Sequence, residues 1–126
     1  MGQIYFSDME VARGSERACA WRFWSDAGHT IPKILSLGDV VILSIWTGGK
    51  MIIRKTTGID PELVIDLGSE FVAAQLTWSP SIAESRMIPR GRLTIYEIEY
   101  WTAEGLQFPL VGYPAYMVGV GGGNND

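Results

Sequence analysis

The chain has 126 residues, of which 47% are hydrophobic and 19% charged, with a formal net charge of −4 and a pI of about 4.9. That is enough chain for one domain with a true core, and too apolar for a disordered segment. The ten Lys and Arg are scattered, with only Arg54-Lys55 and Arg90/Arg92 close together, so nucleic acid is not expected as a partner.

Cys19 is the only cysteine, which excludes an intrachain disulfide. No apolar run approaches the roughly 18 residues of a membrane-spanning helix. The opening MGQIYFSDMEVARG has no signal-peptide core, and Asp8 and Phe6 spoil a myristoylation signal after Met-Gly. The expectation is a protein folded in a cytoplasm with no membrane partner. Five Trp in a chain of low charge suggest surface hidden against other subunits.

In chain order, short apolar stretches alternate with turn residues, the pattern of a sandwich or barrel. An N-terminal arm ends in the turn Arg13-Gly14-Ser15. Glu16 to Trp24 is the first expected strand, with Trp21 and Phe23 on one face and Trp24 on the other. Asp39 to Trp46 is the most apolar strand, closed by Thr47-Gly48-Gly49. It carries Val40, Ile42 and Trp46 on one side and Val41, Leu43 and Ile45 on the other. A sandwich strand normally shows water a polar side, so one side needs a cover: a segment of this chain or another subunit. Trp24, Val41, Leu43, Ile45 and Trp46 are the candidate partner contacts.

Met51 to Lys55, Leu63 to Leu67 and Phe71 to Trp78 follow as strands. In WSPSIAESRMIPRG, Ser79 can cap a short helix with Pro80 at its first position, and Pro89 ends it by about Met87. That places one helix near residues 80–87. GRLTIYEIEYWTAEGLQFPLVG, from Gly91 to Gly112, reads as two aromatic-rich strands joined by an Ala-Glu-Gly turn. Within its first strand the apolar face slips from Leu93 and Ile95 to Tyr96, Ile98 and Tyr100. A period of two absorbs such a slip through a bulge near Ile95 and Tyr96; the alternative is a strand covered on both sides. Ala115 to Val120 is the last strand. Residues 1–120 form a single domain, and 121–126 read as a flexible tail.

Chemistry is thinly represented. Glu97 and Glu99 share a strand face about 6.6–6.8 Å apart, a spacing that any alternating strand provides. His29, the only histidine, falls in a turn, and Cys19 reads as a small buried apolar residue. There are too few ligands of the usual types for zinc. SIWTGGKM lacks the first glycine of a phosphate loop and has Met51 in place of Ser or Thr. GVGGG is followed by no helix, as a dinucleotide fingerprint requires. No catalytic, cofactor-binding or metal-binding residue is assigned.

Residues 76–119 carry a distinctive order of signals: a strand ending in a Leu-Ser-like step, a short Ala-rich helical turn, a Pro-x-Gly turn, a Tyr-Glu-Ile strand, and a strand running into a glycine. Ser79, Ala83, Glu84, Pro89, Gly91, Tyr96, Glu97, Ile98 and Gly112 occupy these positions. This pattern resembles the small β-sandwich domains of tailed-phage structural proteins, such as the N-terminal domain of siphophage baseplate upper proteins and short tail-associated proteins. Arg13-Gly14-Ser15 and SDAGHTIPKILSLGDVVILSI are similar to the front half of those domains. Ser15 stands where they have Asp, Leu37 is an extra residue before Gly38, and Tyr96 lies one residue late.

The resemblance implies an all-β, antiparallel β-sandwich of Ig-like or jelly-roll-like type with one short helix. It further implies a non-enzymatic virion protein of a phage or prophage, assembled in the host cytoplasm as a tail or baseplate connector. Its partners would be other virion subunits and copies of itself. The alternatives are a capsid decoration protein, or a module binding a small ligand or carbohydrate on Trp46, Trp78 or Trp101.

Overall fold

A computed structural model describes residues 8–26, 28–105, 107–109 and 115–121. Along the chain run strands β1 (Met9–Ala12), β2 (Cys19–Arg22), β3 (Val40–Thr47), β4 (Lys50–Thr56), β5 (Leu63–Asp66) and β6 (Gln75–Trp78). Helix α1 (Ile82–Arg86) and strands β7 (Thr94–Trp101), β8 (Gln107–Pro109) and β9 (Ala115–Val120) follow. The fold is all-β with two sheets and one short helix. The larger sheet has the order β1-β9-β7-β3-β4, with β8 also on β7; the smaller has the order β2-β6-β5. The tail expected beyond Gly121 lies outside the described residues.

One core is built by alternation in both sheets. β3 and β7 pair antiparallel from Val40↔Trp101 to Thr47↔Thr94, so Val41, Leu43 and Ile45 share a face with Tyr100, Ile98 and Tyr96. The smaller sheet contributes Cys19, Trp21, Leu63, Leu76 and Trp78. The sheets also meet through a polar contact: the Trp21 indole N–H donates to the Tyr96 hydroxyl at 3.0 Å. Burial pushes the Tyr96 phenol up to about 12. Fully burying a large apolar side chain stabilises a fold by about 1.5–3 kcal/mol. This inward row therefore carries most of the reason to fold.

Three sequence expectations are corrected. No bulge lies at Ile95 and Tyr96; β7 keeps its register against β3 throughout. Leu93 is outside the strand and exposed, while the inward position beside Tyr96 is filled by Thr94, fully buried and bonded to Thr47 between hydroxyls at 2.7 Å. A polar residue in a core slot made the apolar face look shifted. The irregularity sits across the sheet instead, where Ile45↔Ile53 is followed by Trp46↔Met51, leaving Ile52 as an extra residue in β4. It lies close to a tight turn at Gly48-Gly49, whose φ values of 60° and 79° suit the mirror-image turn that matches the ordinary twist of a hairpin.

The helix cap is Ser81, not Ser79. Ser81 Oγ accepts from the Glu84 N–H at 3.1 Å and the Glu84 carboxylate accepts from the Ser81 N–H at 3.0 Å, a reciprocal capping box. The Ser79 N–H is already committed to the Glu62 carbonyl at 2.8 Å. Nor is every strand pair antiparallel. Residues read as an arm form β1, which runs parallel to β9 from Met9↔Met117 to Ala12↔Val120. These strands come from opposite ends of the domain, so no hairpin dictates their direction.

Candidate partner interface

The β3 strand is apolar on both sides, but the side expected to meet a partner through Val41, Leu43 and Ile45 is the one that faces the core. Val41, Leu43 and Ile45 are fully buried in the chain's own core. They are therefore withdrawn as partner contacts, because pairing with Tyr100, Ile98 and Tyr96 turns them inward. Trp46 does lie on the outer face. There the register places Trp46 opposite Ile95, and Ile95 opposite Tyr116, forming a row of large side chains across β3, β7 and β9. All three are half-buried. Trp101 lies on the same face beside Val40, and its indole donates to the Glu99 carboxylate at 3.2 Å. Arg92 stacks on the Tyr116 ring, 4.2 Å from its centroid.

Trp24 is not part of this row. It belongs to the loop after β2, in the smaller sheet, where its ring stacks on His29 at 5.6 Å and 7°. Asp26 organises that loop by accepting from the Thr30 hydroxyl and from the Thr30 and Ile31 N–H groups, which hold its carboxyl below the usual range. His29 takes a left-handed backbone, φ 57°. The expected contacts Trp24 and Trp46 thus sit on elements of different sheets.

A second apolar surface was not foreseen. Leu37 and Phe71 are 88% and 84% exposed, and Ile31, Ile34 and Val72 are each about half exposed or more. The segments bearing them adjoin: the Ala74 N–H donates to the Lys33 carbonyl at 2.8 Å and the Leu35 N–H to the Leu67 carbonyl at 2.9 Å. Phe71 is presented on a tight turn whose flanking Ser69 and Val72 exchange backbone hydrogen bonds. Phe71 and Val72 read as the start of a strand in sequence, which hid this turn.

The polar clusters in the molecule fasten elements together. Asp39 accepts from the Ser36 N–H at 2.8 Å, the Tyr100 hydroxyl at 2.7 Å and the Ala103 N–H at 3.2 Å. Burial, then the Asp39 carboxylate, push the Tyr100 phenol up to about 12. Lys55 pairs with Glu62 and, at 2.8 Å, with Glu84, tying β4 to the β5 approach and to α1. The hydrogen bond from Lys55 lowers Glu62. Burial pushes Glu84 up, but Lys55 and the Ser81 N–H outweigh it and hold it low.

The residues considered for chemistry stay apart. Burial pushes the Cys19 thiol up to about 11, which suppresses the thiolate a nucleophile needs. Glu97 is exposed and Glu99 is half-buried on the outer face. Among the described residues no three His, Cys, Asp or Glu gather as metal ligands, and no helix is long and apolar enough to cross a membrane. Of the aromatics considered for sugar binding, Trp78 is fully buried, and its indole N–H has no partner among the described residues. No family model matches the chain, and no curated protein matches its sequence.

Proposed function

We propose that this chain is a non-enzymatic structural subunit of a tailed-phage or prophage particle, a tail or baseplate module that docks neighbouring subunits. Its fold is read as a β-sandwich of Ig-like or jelly-roll-like type, in line with the order of turns and strands in residues 76–119. The observation that carries the reading is the exposed apolar surface on residues 31–37 and 69–72, led by Leu37 and Phe71. Isolated exposed apolar residues are ordinary, but adjoining segments that together expose five large ones suit a buried contact with another chain. The row of large side chains Trp46, Ile95 and Tyr116 offers a second contact.

The test has two parts. Sedimentation velocity of the purified chain should show concentration-dependent self-association that Phe71→Ser and Leu37→Ser reduce without changing the thermal midpoint. Electron microscopy of phage particles grown with a labelled copy should place the label on the tail. A strictly monomeric chain together with unlabelled particles would reject the assignment. Label on the head would make it a capsid decoration protein.

A further inference from the structure

Strand β1 forms one margin of the larger sheet, and among the described residues it pairs with β9 alone. The Arg13 N–H donates to the Val120 carbonyl at 3.0 Å. Main-chain groups of successive strand residues point to opposite sides, so Met9 and Val11 also turn theirs toward β9. The N–H and C=O groups of Glu10 and Ala12 therefore point away from the sheet. Cys19 Sγ reaches the Glu10 carbonyl at 3.8 Å, a weak donor that leaves this oxygen a second lone pair. A cleft of about 340 Å³ opens along this margin, lined by Ala12, Ala18 and Ala20 among others. Side chains this small leave room for another main chain to approach. The opposite margin of the sheet, β4, is blunted by the extra residue Ile52 and by Lys50, Arg54 and Lys55. There the Asp60 carboxylate takes the Thr56 N–H at 2.8 Å, and the Asp60 N–H takes the Thr56 carbonyl at 2.9 Å. Bulges and cationic side chains are the means by which sheets repel a further strand, and β1 has no bulge, Lys, Arg or Pro.

We propose that the outer edge of β1 pairs antiparallel with the same edge of a second copy of this chain, joining the two larger sheets into one. The edge is complementary to itself. With a two-fold axis at Val11, Glu10 lies opposite Ala12 of the second copy and Ala12 opposite its Glu10. Each pair exchanges both main-chain hydrogen bonds. No carboxylate then faces another, whereas moving the axis to Glu10 would set the two glutamates directly opposite, a destabilising pair. Charge thus fixes the register as well as the occupant. The contact deepens the assembly reading in that copies meet, but it uses a surface separate from Phe71 and Leu37 and stands without them.

The experiment uses the full chain. Ala12→Pro removes the outward N–H and puts a ring where the second strand lies, while the bonds to β9, made by Val11 and Arg13, are spared. In sedimentation velocity this variant should dimerise roughly tenfold more weakly or not at all, with an unchanged far-UV spectrum. The register is read separately by cysteines. Glu10→Cys/Ala12→Cys should form covalent dimers under mild oxidation, and neither single variant should, because residue 10 lies diagonal to its own counterpart, beyond disulfide reach. Cys19 is buried and does not compete. A chain that stays monomeric, dimers that Ala12→Pro leaves intact, or single variants that cross-link as fast as the double one would overturn the pairing. Association lost in Phe71→Ser but kept in Ala12→Pro removes this edge and leaves the assembly reading, and the reverse result removes only the Phe71 surface. The cysteine variants decide the matter even if Ala12→Pro does not fold.

Discussion

Across the outer face of the larger sheet run Trp46, Ile95 and Tyr116, whereas the outer face of the smaller sheet presents Ala20, Arg22, Gln75 and Thr77, with Val64 as its one large apolar residue among them. Both sheets send equally apolar side chains inward, to a core they share. Folding alone explains the inward residues, and on the outer side of β3 it also buries Ile42 and Ser44, whereas Val64 on the outer side of the smaller sheet stays exposed. For the half-buried row of Trp46, Ile95 and Tyr116, the proposed contact with another subunit would supply the remaining cover.

The strongest way to break this comparison is to remove a residue that serves both sheets. Tyr96→Ala empties a fully buried site and leaves the Trp21 indole N–H without its acceptor. A loss of about 3–5 kcal/mol in urea unfolding is expected, a large part of a small domain's stability. Tyr96→Phe keeps the ring and loses the hydroxyl that accepts from Trp21, for about 1–3 kcal/mol. On the outer faces the expected effects are smaller and differ in kind. Ile95→Thr should change stability by no more than about 1 kcal/mol yet weaken self-association in sedimentation, whereas Val64→Thr on the smaller sheet should alter neither. Equal effects of the two threonine variants on association would erase the distinction.

Acid sharpens the comparison from the side of the fastenings. Glu62 and Glu84 are held below the ordinary glutamate value of 4.5. Each therefore contributes stability that is present above about pH 4.5 and lost as pH falls through its lowered folded value. Glu62→Gln should flatten that acid limb in thermal melts by lowering the stability above it, with the stability at lower pH nearly unchanged. At the alkaline end, Tyr96 and Tyr100 titrate at about 12 rather than 10.0. Folded protein binds those protons more tightly, so stability present below pH 10 is lost as pH rises through 12. Difference absorbance of tyrosinate should show two phenols ionising late.

What the sequence reveals and hides follows from range. The two-sided character of Val40 to Trp46 was legible because alternation is local. Which side faces inward was not, since that is set by pairing with Tyr96, Ile98 and Tyr100 some fifty residues away. Thr94 concealed the true phase of β7 because its burial depends on Thr47 across the sheet. The bulge at Ile52 left no trace in the uniformly apolar Met51-Ile52-Ile53. Strand β1 is four residues long and pairs in parallel with the far end of the domain. The hydrogen bond from Arg13 to the Arg86 carbonyl was invisible for the same reason, since it spans 73 residues.

The parallel pairing of β1 with β9 has a mechanical meaning. In this ladder Met9 lies beside Met117 and Ala12 beside Val120. The chain thus enters at one end of the ladder, before Met9, and leaves from the other, after Val120. Tension applied through those two points pulls the strands along their length in opposite directions. The backbone bonds between them are then loaded together in shear, not opened one after another as a hairpin peels. A domain stretched between two neighbours through its ends would resist at this one short clamp before any force reached the core.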